Sequence, residues 1–253
     1  MPSTLPRTLF AFVVASLAPA SLSAQMVEAG VARDAARGSP YECLHVALLD
    51  SSGRAIEHTV TDSAGRFLLE APRPGIYRVQ FNVVGAEPIA GPLDTLNEGD
   101  SKQRAFPLGF RRLLRDADSA NAGPDFQARR QRDSLLLRSL SEQESDSGWK
   151  SRIAVAGPYG PVYPKQLRIA GEGGYVVSQF IVDSTGKTRP DSWHAIDATN
   201  VDFAKAVAAS VPQWRWKPAR NRGQPVCELG LDFITFHTEY GSGWNVGHVI
   251  IYR

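Results

Sequence analysis

Five histidines, two cysteines and three short Asp/Gly loops are the groups in this 253-residue chain with the chemistry to hold a metal, attack a substrate or cross-link the fold. His45, His58, His194, His237 and His248 include no pair at a metal-ligating spacing and no H-E-x-x-H helix. The chain also has no Gly-x-Ser-x-Gly elbow and no phosphate-cradling glycine loop. His237-Thr-Glu239 sets two titratable groups on one strand face, but polar residues at a strand end account for them equally well. Asp50-Ser-Ser-Gly53, Asp62-Ser-Ala-Gly65 and Asp183-Ser-Thr-Gly186 each supply one carboxylate and no distal bidentate glutamate, which suits a turn and not a calcium loop. In such a turn the Asp bonds its own backbone two residues on, and the Gly takes the positive φ that closes it. These residue types point away from catalysis and from any resident metal or cofactor.

Cys43 and Cys227 read differently according to compartment, and the amino terminus bears on the compartment. Arg7, the apolar run 9–17 and the mostly small residues 18–24 have the three zones of a secretory signal, with cleavage expected after Ala24. The apolar run falls short of the roughly 20 residues that span a bilayer, and Pro19 interrupts it. No later run approaches that length, so the expected mature product is exported and has no membrane span. In an oxidising compartment Cys43 and Cys227 can pair, closing a loop worth up to roughly 5 kcal/mol in the chain-entropy model. Two buried free thiols, packing as small hydrophobes, are the alternative.

The elements that position these groups are mostly strands. With 43% hydrophobic and 21% charged residues the chain can bury ordinary cores, and 22 Gly and 17 Pro favour β-rich modules over a helical bundle. The formal charge of +2 leaves no electrostatic footprint for nucleic acid. From 42 to 108 the pattern is β throughout: an apolar strand at 43–49, a short one at 58–61, another at 66–70 and a period-two run at 76–81. Leu49-Asp50-Ser-Ser-Gly53, Thr61-Asp-Ser-Ala-Gly-Arg-Phe67 and Pro74-Gly-Ile-Tyr-Arg-Val79 make this segment resemble the carboxypeptidase regulatory-like, or transthyretin-like, β-sandwich. That resemblance implies a non-catalytic sandwich and names no ligand.

Residues 109–150 change character. They read as a charged helical connector in which Phe126, Leu136, Leu137 and Leu140 share an apolar stripe. The cluster Arg129-Arg130-Gln-Arg132 is diluted by Asp125, Asp133 and Glu142 and reads as a solvated face.

The remainder, 151–253, follows a strand, turn, strand, helix, strand plan. Residues 174–182 form a strand apolar on both faces, and Asp183-Ser-Thr-Gly186 closes a hairpin into a second strand reaching about Ile196. Thr199-Asn200 offers an N-cap to a helix packing through Phe203, Ala206, Val207 and Ser210, which Pro212 ends. Trp214 and Trp216 read as core packing. The series Tyr163-Pro164, Gly174-x-Val176, Phe180-x-Val-Asp183, Gly186, Trp214-x-Trp216-x-Pro218-Ala219 and Gly223-x-Pro225-Val226 resembles the TonB C-terminal domain family over about 160–237. Leu167 and Trp216 depart from its usual Ala and Phe, both as changes of packing volume. The resemblance implies a three-stranded antiparallel sheet with a helix across it, and hence an α+β protein overall with an N-terminal all-β sandwich.

The same resemblance implies a function. The best-known members of that family bind outer-membrane receptors by receiving an extended peptide at a sheet edge, where backbone hydrogen bonds supply affinity. The matching edge here is the strand through Glu228, Leu229, Leu231, Phe233 and Thr235. The expected protein is thus a periplasmic, non-catalytic module with an envelope protein partner, which an outer-membrane receptor would satisfy. An envelope adaptor holding carbohydrate through the sandwich is the alternative, and energy transduction is a weaker one because the charged middle is no Pro-rich spacer. Trp244-Asn-Val-Gly-His-Val-Ile-Ile-Tyr252 reads as one more strand, able to fold back over the same edge.

Overall fold

The computed structural model describes residues 26–110, 148–154, 160–238 and 244–249. The signal-like residues 1–24 and the helix expected within 125–143 lie outside the described residues.

The N-terminal part is a sandwich of two sheets. One has the order β4-β1-β7, from β1 (Met26–Asp34), β4 (Arg66–Ala71) and β7 (Ser101–Leu108). The other has the order β3-β2-β5-β6, from β2 (His45–Asp50), β3 (Ala55–Val60), β5 (Gly75–Asn82) and β6 (Ile89–Leu96). Alternation selects the inward residues: Phe67, Leu69 and Ala71 of β4 face Tyr77, Val79 and Phe81 of β5, while Leu68 points out. The Phe67, Phe81 and Phe106 rings meet at 4.9–5.7 Å in the centre. The sandwich includes a strand that precedes the β pattern read from residue 42. β1 lies in the middle of its sheet, antiparallel to β4 and parallel to β7.

The Asp/Gly loops are turns. The Asp50 carboxylate accepts from the Ser52 and Arg54 amides, that of Asp62 from Ala64 and Arg66, and that of Asp183 from Thr185 and Lys187.

The C-terminal part is a four-stranded antiparallel sheet, β11-β10-β15-β16, made of β10 (Gly174–Val182), β11 (His194–Ala198), β15 (Glu228–Thr238) and β16 (Trp244–Val249). Two helices accompany it, α1 (Lys165–Ala170) and α2 (Val201–Ser210). Asn200 caps α2, its side chain accepting from the Asp202 amide at 2.9 Å. Phe203 of α2 stacks on Phe236 at 4.2 Å, and Tyr163 meets both rings edge-on. Trp214 and Trp216 are buried, and their indole N–H groups donate to Ser210 and Thr188. Short strands complete the trace: β8 (Trp149–Lys150), β9 (Ile153–Ala154), β12 (Trp216–Lys217), β13 (Ala219–Asn221) and β14 (Gln224–Val226).

The two parts share a core. Val176, Phe180, Val182, Ile234 and Phe236 pack under α2, whereas Ile181, Leu229 and Leu231, on the other face, join the sandwich cluster of Leu44, Val46 and Phe81. Cys43 and Cys227 are joined in a disulfide with Cα atoms 5.5 Å apart. Arg189 makes a two-pronged ion pair with Glu42 at 2.7 and 3.1 Å, and Arg222 pairs with Glu57.

A histidine pair sits in the same seam. His45 and His58 share one ring-to-ring hydrogen bond of 2.9 Å, and Trp149 of β8 lies flat on His45 at 3.8 Å. β8 pairs with β13, and Asn221 of β13 donates to the His58 carbonyl at 2.8 Å. Burial, with His58 beside it, holds His45 well below its ordinary pKa. Burial and the nearby Arg222 charge bring His58 down to about 4. Both rings are therefore neutral when folded and free to take protons when unfolded. The unfolded chain binds more protons once pH drops below 6.5, so this contribution to stability is whole above pH 6.5 and shrinks as pH falls toward 4. Carboxylates such as Asp50, lowered by the Ser52 hydroxyl, act only below their ordinary value of 3.8. Urea unfolding should show stability falling between pH 6.5 and about 5, and a His45→Leu/His58→Leu chain should lose that slope. Equal slopes in both chains would remove the histidines from the account.

Candidate partner-binding edge

β15 is the strand on which the expected binding residues lie, so the question is what occupies its two sides. One side is paired with β10 along its length, from Val182↔Glu228 to Gly174↔Phe236. The other side is divided. In its first part, the Leu229 N–H donates to the Cys43 carbonyl at 2.7 Å and the Leu231 N–H to the Val84 carbonyl at 2.8 Å. Val84 runs parallel to β15 opposite Gly230. In its second part β16 pairs antiparallel, from Phe233↔Val249 to Thr238↔Trp244. β15 is thus an interior strand in this conformation, and the edge read from sequence is filled from within the chain.

The residues expected to bind have separate tasks. Leu229 and Leu231 are buried in the core shared with the sandwich. Thr235 is buried, and Phe233 lies in the stretch that β16 covers. Glu228 is almost fully buried and holds Arg152: its carboxylate accepts the Arg152 amide at 3.0 Å and the guanidinium at 3.2 Å. That guanidinium lies 5.1 Å from the centres of both the Phe180 and Trp216 rings. It rests on the backbone of Gly230, where a Cβ would come within 2.0 Å of it. Glu228 therefore anchors the entry to the sheet and is not available to a partner.

Sequence reading missed the groups that close the first part of the edge, because they are main-chain carbonyls of Cys43 and Val84. The one local signal is Gly85, whose φ of 94° shapes the loop lying on Leu231. Arg152 carried no signal either, since its partners are far away in the chain.

Comparison with known proteins finds a family match in the C-terminal part of the chain. Residues 159–233 match the family model described as Gram-negative bacterial TonB protein C-terminal. Among solved structures, the TonB C-terminal domain of Pseudomonas aeruginosa is 24% identical, with a TM-score of 0.30, covering 38% of this chain and 93% of that one. The Bacillus anthracis TIE protein is 9% identical over 89% of this chain and 31% of its own length, with a TM-score of 0.28. A DUF3823 family protein from Bacteroides uniformis is 10% identical over 88% of this chain and 97% of its own, with a TM-score of 0.30. A search of curated proteins found no match.

Two substitutions test the anchor. Glu228→Ala leaves the Arg152 charge buried without its carboxylate and should cost about 3–5 kcal/mol. Gly230→Ala pushes a methyl group into the guanidinium and should cost about 1–3 kcal/mol. Both are read as urea midpoints of the oxidised chain, and a wild-type midpoint for either would show that the Arg152 site does not bear on stability.

Proposed function

We propose that this chain is an exported, non-catalytic protein-binding module of the cell envelope, in which the C-terminal sheet takes up an extended segment of a partner by strand addition. The observation that carries the reading is the seat of β16. Residues 233–238 pair with a strand of six residues that belongs to the chain's own tail, so this stretch of backbone accepts an extended segment along its side. The TonB C-terminal match over residues 159–233 supports the reading and suggests an outer-membrane receptor as the kind of partner. Among the described residues no helix is long and apolar enough to cross a membrane.

On this reading the sandwich is a support. It shares a core with the sheet, is bonded to it through Cys43–Cys227, and fixes the sheet's orientation relative to whatever holds the sandwich. Strand addition gives affinity mostly through main-chain hydrogen bonds, so a bound tail competes directly with any partner.

The test uses the full chain and a chain ending at Gly241 as baits for solubilised outer membranes. The shortened chain should retain a receptor more strongly than the full chain, and excess synthetic peptide of residues 244–253 should release it. Equal retention by both baits, or a retained protein that the peptide does not displace, would overturn the proposal.

A further inference from the structure

We infer that the partner's strand is confined to residues 233–238 of β15 and that the sandwich forms a fixed stop beside it. This rests on the strand-addition reading above and adds the length, direction and register of the segment that binds. β16 pairs antiparallel with six residues of β15 and ends opposite Phe233. Immediately beyond, the outward N–H groups of Leu231 and Leu229 are held by the carbonyls of Val84 and Cys43.

The stop differs in kind from the tail. Val84 approaches Gly230 as a parallel bridge, so it runs opposite in direction to β16. The loop carrying Val84 follows β5, and its turn is closed by the Ala86 N–H on the Val83 carbonyl at 3.0 Å. Val83 and Ala86 are themselves buried in the sandwich core. Cys43 is bonded to Cys227, the residue just before β15, and its neighbour Glu42 is held by Arg189. Lifting the stop means opening a core and a covalent bond, whereas among the described residues β16 is an outer strand paired with β15.

The register also sets the partner's chemistry. Ile234 and Phe236 lie on the α2 face, where the Tyr163, Phe203 and Phe236 rings cluster. A residue directly opposite Phe236 shares that face, so an apolar side chain fits there. The partner is thus an extended polypeptide segment of about six residues, apolar at the position opposite Phe236 and free of proline where its N–H must reach β15.

Amide hydrogen exchange with a length series of peptides tests the stop. The oxidised chain ending at Gly241 is titrated with synthetic peptides of residues 244–249 and 244–253, and full-length Gly247→Pro, which removes an N–H facing Thr235 and so breaks β16 pairing, serves as a second receptor. Both peptides should slow exchange at the outward amides of Phe233, Thr235 and His237 by about tenfold or more, leave Leu229 and Leu231 at their full-chain rates, and differ in Kd by less than about threefold. Added protection at Leu229 or Leu231, or a longer peptide that binds about tenfold tighter, would overturn the stop while leaving strand addition intact. Failure of both peptides to bind either receptor would overturn strand addition and the stop together.

Discussion

Each residue of a strand carries an N–H and a C=O that lose water when the strand is covered, and an unpaired one costs as much as a lost hydrogen bond. β15 is covered on both faces, by the α2 core on one and the sandwich core on the other. Its outward backbone groups must therefore be met from within the protein. The chain meets them twice over a single strand, with sandwich carbonyls beside Leu229 and Leu231 and with β16 beside 233–238. The other features of the seam, including the disulfide, the Glu42–Arg189 pair and the stacked Trp149, hold the sandwich where its carbonyls can do this.

That division separates a permanent contact from an exchangeable one. The sandwich is tied by a covalent bond, ion pairs and a common core, so its hydrogen bonds to β15 open only when the fold opens. Among the described residues the tail is held by the pairing of one short strand at the sheet's outer margin. A partner strand offers the same backbone groups, so it gains little new bonding and wins only through its side chains or its effective concentration. Binding that competes with an intramolecular strand is weakened by the fraction of time the site is filled.

Much of this architecture was legible from residue patterns. The strand at 174–182, the helix from Val201 and the two buried tryptophans follow from periodicity, an Asn cap and flanking prolines and glycines. β1 was not legible, because two of its inward positions are Glu28 and Gly30. Glu28 is buried and faces Arg104, while Gly30 gives up its side chain to the Phe67 ring, so the apolar alternation that marks a strand is missing. The expected edge was legible as a strand but not as an occupied one. Its closure depends on main-chain carbonyls of Cys43 and Val84, groups every residue possesses and no sequence pattern distinguishes.

The central claim is that a partner strand takes the place of β16, and locking β16 down tests it most directly. His237 and Asn245 face one another across the β15–β16 pair, so a His237→Cys/Asn245→Cys chain, oxidised and with its disulfides mapped by mass spectrometry, staples the tail to the sheet. Affinity for the synthetic peptide of residues 244–253 should then be lost in the stapled chain, weak in the full chain and strongest in the chain ending at Gly241. A stapled chain that binds the peptide as tightly as the unstapled one would contradict the account.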